Sequence, residues 1–384
     1  MRILHVYRTF YPETQGGLEE VIRQICLNTK SANIECRVFT LANNPDNNPV
    51  ELPEGLVIQE KRHLDIASCS ISFSALSSFK EQVEWADIVH YHFPWPFGDL
   101  LHLMSRHDKP SVVTYHSDIV RQKFLNLAYY PLMKLFLSRA DTVICTSPNY
   151  FATSSTLTSI ANKVEVIPIG LTPPRCMEQA PDADNGLVIE DDKPYFVFVG
   201  VLRYYKGLHI LLDAMVNAPY RVIIVGSGPI ETELRQQAQA LRLNNVTFAG
   251  YINDAEKFQL LRKAMGVVFP SYLRSEAFGV TLLEGAMMGL PLISTEVGSG
   301  TSHVNIDGET GIVVTPSSAP ALRQAMDKLY EQPELAARYG CNARARYEAL
   351  FTGELMGQRY AELYRGVMLK QTDARQVAAF PVDS

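Results

Sequence analysis

PSYLRSEAFGVTLLEGAMMGLPLIST, residues 270–295, follows an apolar VVFP run (267–270) and ends in a second apolar run, LPLIS (290–294). Between the two runs TLLEGAMMG reads as a helix rich in small residues, so the whole is a strand, loop, helix, strand unit. Glu276 falls in the loop, and Glu284, eight residues on, falls on the helix. Backbone N–H groups at Phe278, Gly279, Val280 and Thr281 lie at the helix start, where orphan donors and the macrodipole favour an anion. A loop acceptor, amides for a phosphate and a helix carboxylate for a diol together suit a nucleotide-sugar.

The same alternation extends in both directions. Upstream, RILHVY, CRVFTL, VIQEKR, DIVHYHF, SVVTYH, TVICTS and VEVIPIG are short apolar strands separated by helical stretches. Downstream, YFVFVG, RVIIVGSG, VTFAGY, VVFP, LPLIS and GIVV repeat the pattern. Short apolar strands alternating with helices predict α/β architecture with parallel, doubly wound sheets. Residues 168–194 break the pattern with a run rich in Pro, Asp and Gly, which marks a domain boundary. The expected organisation is a first Rossmann-like domain over 1–170, a linker at 171–194 and a second such domain over 195–351. A C-terminal helix over 352–370 is expected to pack back on the first domain, and the tail at 371–384, which carries no periodicity, is expected to be disordered. Ligands of such sheets sit outside the carboxyl ends of the strands, so two of them facing each other predict a cleft lined by post-strand loops.

Composition bounds the function. The 384 residues are 47% hydrophobic and 20% charged, as in soluble globular proteins. A net charge of −6 argues against nucleic acid as a partner. The six cysteines show no metal-ligand spacing and read as small buried hydrophobes. The chain opens directly on a strand, leaving no room for a signal peptide, and no apolar run is long enough to span a bilayer. The expectation is a cytoplasmic chain.

Further candidates stand after strands. Gly16 and Gly17 open the first helix and allow close approach of a phosphate or acceptor, though an ordinary helix start explains them equally well. His90 and His92, two apart on a strand, share a face, but no recognisable metal-ligand pattern completes them and no metal is expected. His116 ends a strand in TYHSD and would border the cleft. Arg203 and Lys206 follow a strand and suit a diphosphate leaving group, or are simply a solvated pair. Gly226 and Gly228 lie in GSGP, a weak dinucleotide signal lacking its third glycine and standing in the wrong half. Asp182-Ala183-Asp184 matches a metal-binding string but belongs to the acidic linker. Residues 119–140 carry Arg121, Lys123, Lys134 and Arg139 with aromatics and no acid. Such a helix fits an anionic membrane or a basic outer face, and Pro131 is expected to kink or divide it.

In order along nearly the whole chain, the Gly-Gly loop, HYHFPW, TYHSD, VGVLRYYKG, GSGP, SEAFGVTLLEGAMMGLPLIST and DGETGIVV resemble glycosyltransferase family 4. This is a family of retaining transferases with the GT-B fold. The text looks most like bacterial mannosyl- or rhamnosyltransferases of lipopolysaccharide O-antigen assembly. The resemblance implies a GDP-sugar donor, mannose or a related deoxyhexose, and a polyprenyl-diphosphate-linked saccharide as acceptor. It implies peripheral contact with the inner face of the cytoplasmic membrane and no metal or other cofactor. A UDP-sugar-dependent hexosyltransferase of the same fold and a nucleotide-sugar epimerase are the alternatives. His116 and Glu276 would be catalytic, facing the transferred sugar. Lys206 with Arg203 would neutralise the diphosphate, Gly226, Gly228, Phe278, Gly279 and Val280 would hold the donor, and Glu284 would bind the ribose hydroxyls. Val201 stands where many members carry an arginine, which puts the role of Arg203 in question.

Overall fold

Short strands, most of them buried, build one large sheet in each of two units of a computed structural model. It describes residues 1–46, 48–66, 69–119, 123–174 and 193–379, with the side chains of all but 123–128 and 373–379. The first unit is Met1–Gly170 with the chain from Gly353 on, and the second is Leu171–Thr352. The DAD string and most of the expected linker lie outside the described residues.

In the first unit, β1 (Arg2–Val6), β2 (Glu35–Ala42), β3 (Val50–Leu52) and β4 (Gly55–Lys61) precede a small ribbon, β5 (Leu64–Ile66) and β6 (Cys69–Ile71). Then follow β7 (Ile88–Phe93), β8 (Ser111–Tyr115), β9 (Thr142–Cys145) and β10 (Val164–Val166). The eight-stranded sheet runs β10-β9-β8-β7-β1-β2-β4-β3, parallel except where β3 pairs antiparallel with β4. All six residues of β7 are buried, as expected of a central parallel strand covered on both faces. The helices are α1 (Gly17–Thr29), α2 (Ala75–Trp85), α3 (Pro96–Ser105), α4 (Lys123–Arg139), α5 (Pro148–Thr153) and α6 (Ser155–Thr158). Strand order turns at β1, which lies between β2 and β7.

The second unit holds β11 (Tyr195–Val199), β12 (Arg221–Val225), β13 (Val246–Gly250), β14 (Gly266–Phe269), β15 (Leu292–Thr295) and β16 (Gly311–Val314). Their order is β13-β12-β11-β14-β15-β16, all parallel. This is the doubly wound arrangement whose order reverses between β11 and β14, where such sheets bind ligands. Its helices are α7 (Leu208–Ala214), α8 (Glu231–Ala240), α9 (Asp254–Lys263), α10 (Val280–Met287), α11 (Thr301–Val304), α12 (Ala319–Glu331) and α13 (Pro333–Leu350). A capping box between Asn253 and Glu256 fixes the start of α9.

The last helix, α14 (Gly353–Ala379), belongs to the first unit. Tyr364 and Tyr360 on it are buried and hydrogen-bond His90 Nδ1 at 2.7 Å and Thr114 Oγ1 at 3.0 Å. Two expectations need correcting. The helix continues to Ala379 through residues that carry no periodicity, because Gln, Ala and Arg there favour helix and no Pro or Gly stops it before Pro381. Pro131 does not divide α4, which runs through it. Met133, Phe136 and Leu137 beyond it are buried and hold that half of the helix in place. Among the described residues, no helix is long and apolar enough to cross a membrane.

Candidate active site

The loops after β11 and β14 meet at the switch point of the second sheet. After β11 the chain makes a single 3-10 turn, Tyr204–Lys206, ended by Gly207 at φ +71°. A side chain at Gly207 would run into the Pro270 carbonyl, so glycine lets the two loops touch. Tyr272 N–H donates to the Tyr205 carbonyl at 3.0 Å and ties them. Across this contact Lys206 Nζ reaches Glu276 Oε2 at 2.5 Å, and Ser271 Oγ donates to the same oxygen at 3.2 Å. The pair is largely buried, with side-chain exposures of 13% and 10%. Arg274 donates to the Gly298 carbonyl at 2.6 Å and Gly300 N–H to the Ala277 carbonyl at 2.7 Å, tying the Glu276 loop to the turn at 298–300.

That loop enters α10 through Gly279 at φ +88°, a conformation costly for any residue with a side chain. Thr281 Oγ1 donates to the Val199 carbonyl at 3.0 Å, so the helix start sits against the end of β11. Among the described residues nothing accepts the N–H groups of Val280 and Thr281. Phe278 is buried against Phe351, so its side chain is a packing element and its backbone is what a ligand can reach. Gly226 and Gly228 lie against the backbone of Gly200 and Leu202, which accounts for both glycines by loop packing. Arg203 is exposed and has no side-chain partner among the described residues. Glu284 is separate from the Lys206 pair. Lys257 of α9 reaches Glu284 Oε1 at 2.6 Å and Asp254 Oδ1 at 2.8 Å. Burial opposes the charge on Lys257, yet the two carboxylates hold the ammonium above its ordinary range.

In the first unit, four buried histidines gather beside the turn in strand order. His5 Nδ1 lies 3.0 Å from His92 Nε2, and His92 Nδ1 lies 3.0 Å from His116 Nε2. His90 and His92 stack at 4.5 Å, on one face as strand alternation predicts. Both nitrogens of each are already engaged, His90 by Tyr364 and Thr114 at 2.7 Å and His92 by its two histidine neighbours. A metal at the buried His5–His90–His92 group would have to break those bonds. Burial drives His90 and His92 well below the usual imidazole range and brings His116 down to about 3. Gly16 precedes α1, whose first turn already holds Glu19 and Glu20. Glu19 accepts from Thr9 Oγ1 at 2.8 Å and Thr14 Oγ1 at 3.2 Å and lies against Gly16. Two carboxylates there weaken the field that would draw a phosphate to the Gly16-Gly17 loop, and suit a hydroxyl-bearing ligand better.

Comparison with known proteins follows the same division of the chain. Residues 15–174 match the family description "Glycosyltransferase Family 4", and residues 179–346 match "Glycosyl transferases group 1". A D-rhamnosyltransferase, WbpZ, of Pseudomonas aeruginosa is 49% identical over 352 residues, 92% of each chain. This chain belongs to glycosyltransferase family 4. An O-antigen chain mannosyltransferase C of Escherichia coli is 46% identical over 364 residues, 95% of this chain and 98% of that one. A sucrose-phosphate synthase from Thermosynechococcus elongatus superposes with a TM-score of 0.77 at 24% identity, covering 96% of this chain and 99% of that one. WaaG, a lipopolysaccharide glycosyltransferase, does so with 0.67 at 19%, covering 94% and 99%. The fold is therefore GT-B, and the protein is a glycosyltransferase.

Three features of this transferase escape a reading of its letters. Lys257 is one, although a cation close behind the N-cap of α9 runs against the helix dipole and is itself a signal. His5 is another, a polar residue inside the apolar RILHVY strand and in register with His90. The third is the pair of tyrosines on α14, whose partners lie 246 and 274 residues away.

Proposed function

We propose that this chain is a retaining transferase that moves mannose, or a related deoxyhexose, from a GDP-sugar to a polyprenyl-diphosphate-linked saccharide of O-antigen or a related polysaccharide. The observation that carries the reading is likeness over more than nine-tenths of the chain to a D-rhamnosyltransferase and an O-antigen mannosyltransferase. Mannose and D-rhamnose share ring configuration and differ only at C6.

The residues supply what such a transfer needs. Lys206 gives a fixed cation for the departing diphosphate, and the unoccupied amides at Val280 and Thr281 add donors along the helix dipole. Glu276 accepts from the sugar hydroxyls, and Glu284 takes the ribose diol. With the charge neutralised by lysine and amides, no metal is assigned. Retention by attack on the face from which the diphosphate leaves needs no protein nucleophile, so catalysis rests on orientation and on stabilising that leaving group. The Gly16-Gly17 loop with Glu19 faces acceptor hydroxyls.

A cytoplasmic site of action, peripheral on the inner membrane face, follows from the acceptor's lipid and from α4. Tyr130 and Leu135 there are 45% and 44% exposed, Lys134 lies 5.3 Å over the Tyr130 ring, and a groove of about 360 Å³ runs beside them. Lys134 and Arg139 are exposed, whereas Arg121 and the Lys123 side chain lie outside the described residues. Apolar and cationic side chains on one helix suit an anionic lipid surface.

The test is nucleotide release from a panel of GDP- and UDP-sugars with and without a polyprenyl-diphosphate saccharide. GDP released only with acceptor supports the reading. UDP release identifies a UDP-sugar transferase, and donor conversion without acceptor an epimerase.

A further inference from the structure

His5, Cys26 and Cys36 come from three different elements and meet inside the first unit. The register of β1 and β2 pairs Ile3 with Cys36 and His5 with Val38, so strand alternation puts His5 and Cys36 on one face of the sheet. Helix α1 carries Cys26 onto that face. One ring nitrogen of His5 and the two Sγ atoms lie within 4.8 Å of one another. All three residues are buried, at 0%, 0% and 3% exposure, and both cysteines are free thiols. His5 Nδ1 is engaged by His92 Nε2 at 3.0 Å, whereas His5 Nε2 is buried and makes no hydrogen bond of ordinary geometry. A buried polar atom left in this state calls for an explanation. The neighbouring His5–His90–His92 group offers an ion no such opening, because bonds already hold both nitrogens of His90 and of His92.

The two thiols are unequal. Hydrogen bonding from Cys26 foremost, with His5 and Thr29 adding to it, holds the Cys36 thiol well below its ordinary range against burial. Burial pushes the Cys26 thiol well up. A buried thiolate is costly unless a cation meets it. Two thiolates and a neutral imidazole cancel the charge of a divalent ion completely, which is the state that burial tolerates best. Sulfur and imidazole donors select thiophilic d10 ions over magnesium or calcium. Sulfur at about 2.3 Å and nitrogen at about 2.0 Å from one ion stand about 3.5–4 Å apart, so shifts of about an ångström close the group around it. We infer that His5 Nε2, Cys26 Sγ and Cys36 Sγ form a structural site for one thiophilic d10 ion, zinc(II) or copper(I). The ion displaces the thiol protons to solvent and ties β1, β2 and α1 together. The contact of His5 Nδ1 with His92 is the outer hydrogen bond that orients a metal-bound imidazole. Full burial means that the ion is taken up as the unit folds, and it takes no part in the transfer chemistry proposed above.

The test is metal analysis of full-length protein from cells supplied with zinc and copper, purified anaerobically without chelator or metal-affinity tag. About one ion per chain supports the site, and the element found separates zinc from copper. In Cys26→Ala and in Cys36→Ala the content should fall about tenfold or more. Cys145→Ala and Cys341→Ala, whose cysteines stand outside the group, should keep it. Because a core cysteine variant can misfold, the wild type is also read directly. Protein from cells grown with cobalt(II) in place of zinc should show sulfur-to-cobalt charge-transfer absorption, which zinc chloride or copper(I) bleaches. Folded wild type holding less than about a tenth of an ion per chain, with no cobalt–sulfur absorption, overturns the proposal. So does equal metal content in all four variants, or a Cys26–Cys36 disulfide in the anaerobic protein.

Discussion

Lys206 and Glu276, 70 residues apart in sequence, meet at 2.5 Å where the order of the second sheet reverses. Each neutralises the other, so an arriving diphosphate competes with a carboxylate for the lysine. In the proposed reaction, a lysine that turned to the phosphates would release Glu276 to the sugar. Glu276→Gln should keep the fold and lower kcat by about a hundredfold. Lys206→Ala should do the same and also destabilise the protein by about 3 kcal/mol, because it strands a carboxylate that is 8% exposed. The double variant should be little worse than either single one, since the residues act as a unit. Steady-state transfer rates and urea midpoints measure this; near wild-type turnover in Glu276→Gln would refute the assignment.

The Lys257–Glu284 pair predicts a different kinetic signature. In the proposed reaction Glu284 takes the ribose, away from the reacting carbon, and Lys257 holds it at 2.6 Å. Lys257→Met should raise the donor KM about tenfold and leave kcat within a few-fold, the mark of binding shared by ground and transition states. A fall in kcat at unchanged KM would move Glu284 to the reacting centre.

The histidine cluster makes the first unit sensitive to acid. Unfolded imidazoles take up protons below about pH 6.5, whereas native His116 resists until about 3 and His90 and His92 are likewise depressed. Their contribution is whole above pH 6.5 and is lost as pH falls from there towards 3. Asp99 acts oppositely. Burial raises its carboxyl to about 8, so it loses stability as pH climbs from about 4 to that value. The two slopes overlap, and variants separate them. Between pH 7.5 and 5, urea midpoints of Asp99→Asn should fall more steeply than those of the wild type, and those of His92→Phe less steeply. Parallel curves for all three proteins would contradict the burial argument.

The exposed face of α4 gives a prediction about lipid. Replacing Tyr130 and Leu135 by Ser should weaken sedimentation with anionic vesicles at every salt concentration. Replacing Lys134 and Arg139 by Gln should weaken it chiefly at low salt, where screening is least. Unchanged binding in both variants would exclude this helix as the contact.

Much of this was legible because the second unit writes its site locally. Glu276, the Gly279 helix start and Glu284 stand on one continuous strand, loop and helix, and Lys206 follows the neighbouring strand, so the rule for doubly wound sheets brings them together. Lys257 was not legible, since its partner is set by how α9 lies beside α10. The GSGP glycines carry a duty their letters did not show: lacking a Cβ, they lie against the backbone of Gly200 and Leu202. In the first unit, alternation put His90 and His92 on one face, but only strand order could bring His5 beside them. Pro131 looked like a break because propensity is local, whereas the packing that carries α4 through it is not.

Helix α14 carries a consequence for the order of synthesis. Its tyrosines close the hydrogen bonds of His90 and Thr114, and Gly357 lets it pass close to the Asn28 carbonyl of α1. The ribosome makes residues 1–170 first, yet this unit waits for the second to be translated before its final helix exists. Until then the buried imidazoles face open surface, so the second unit can fold during translation before the first is complete.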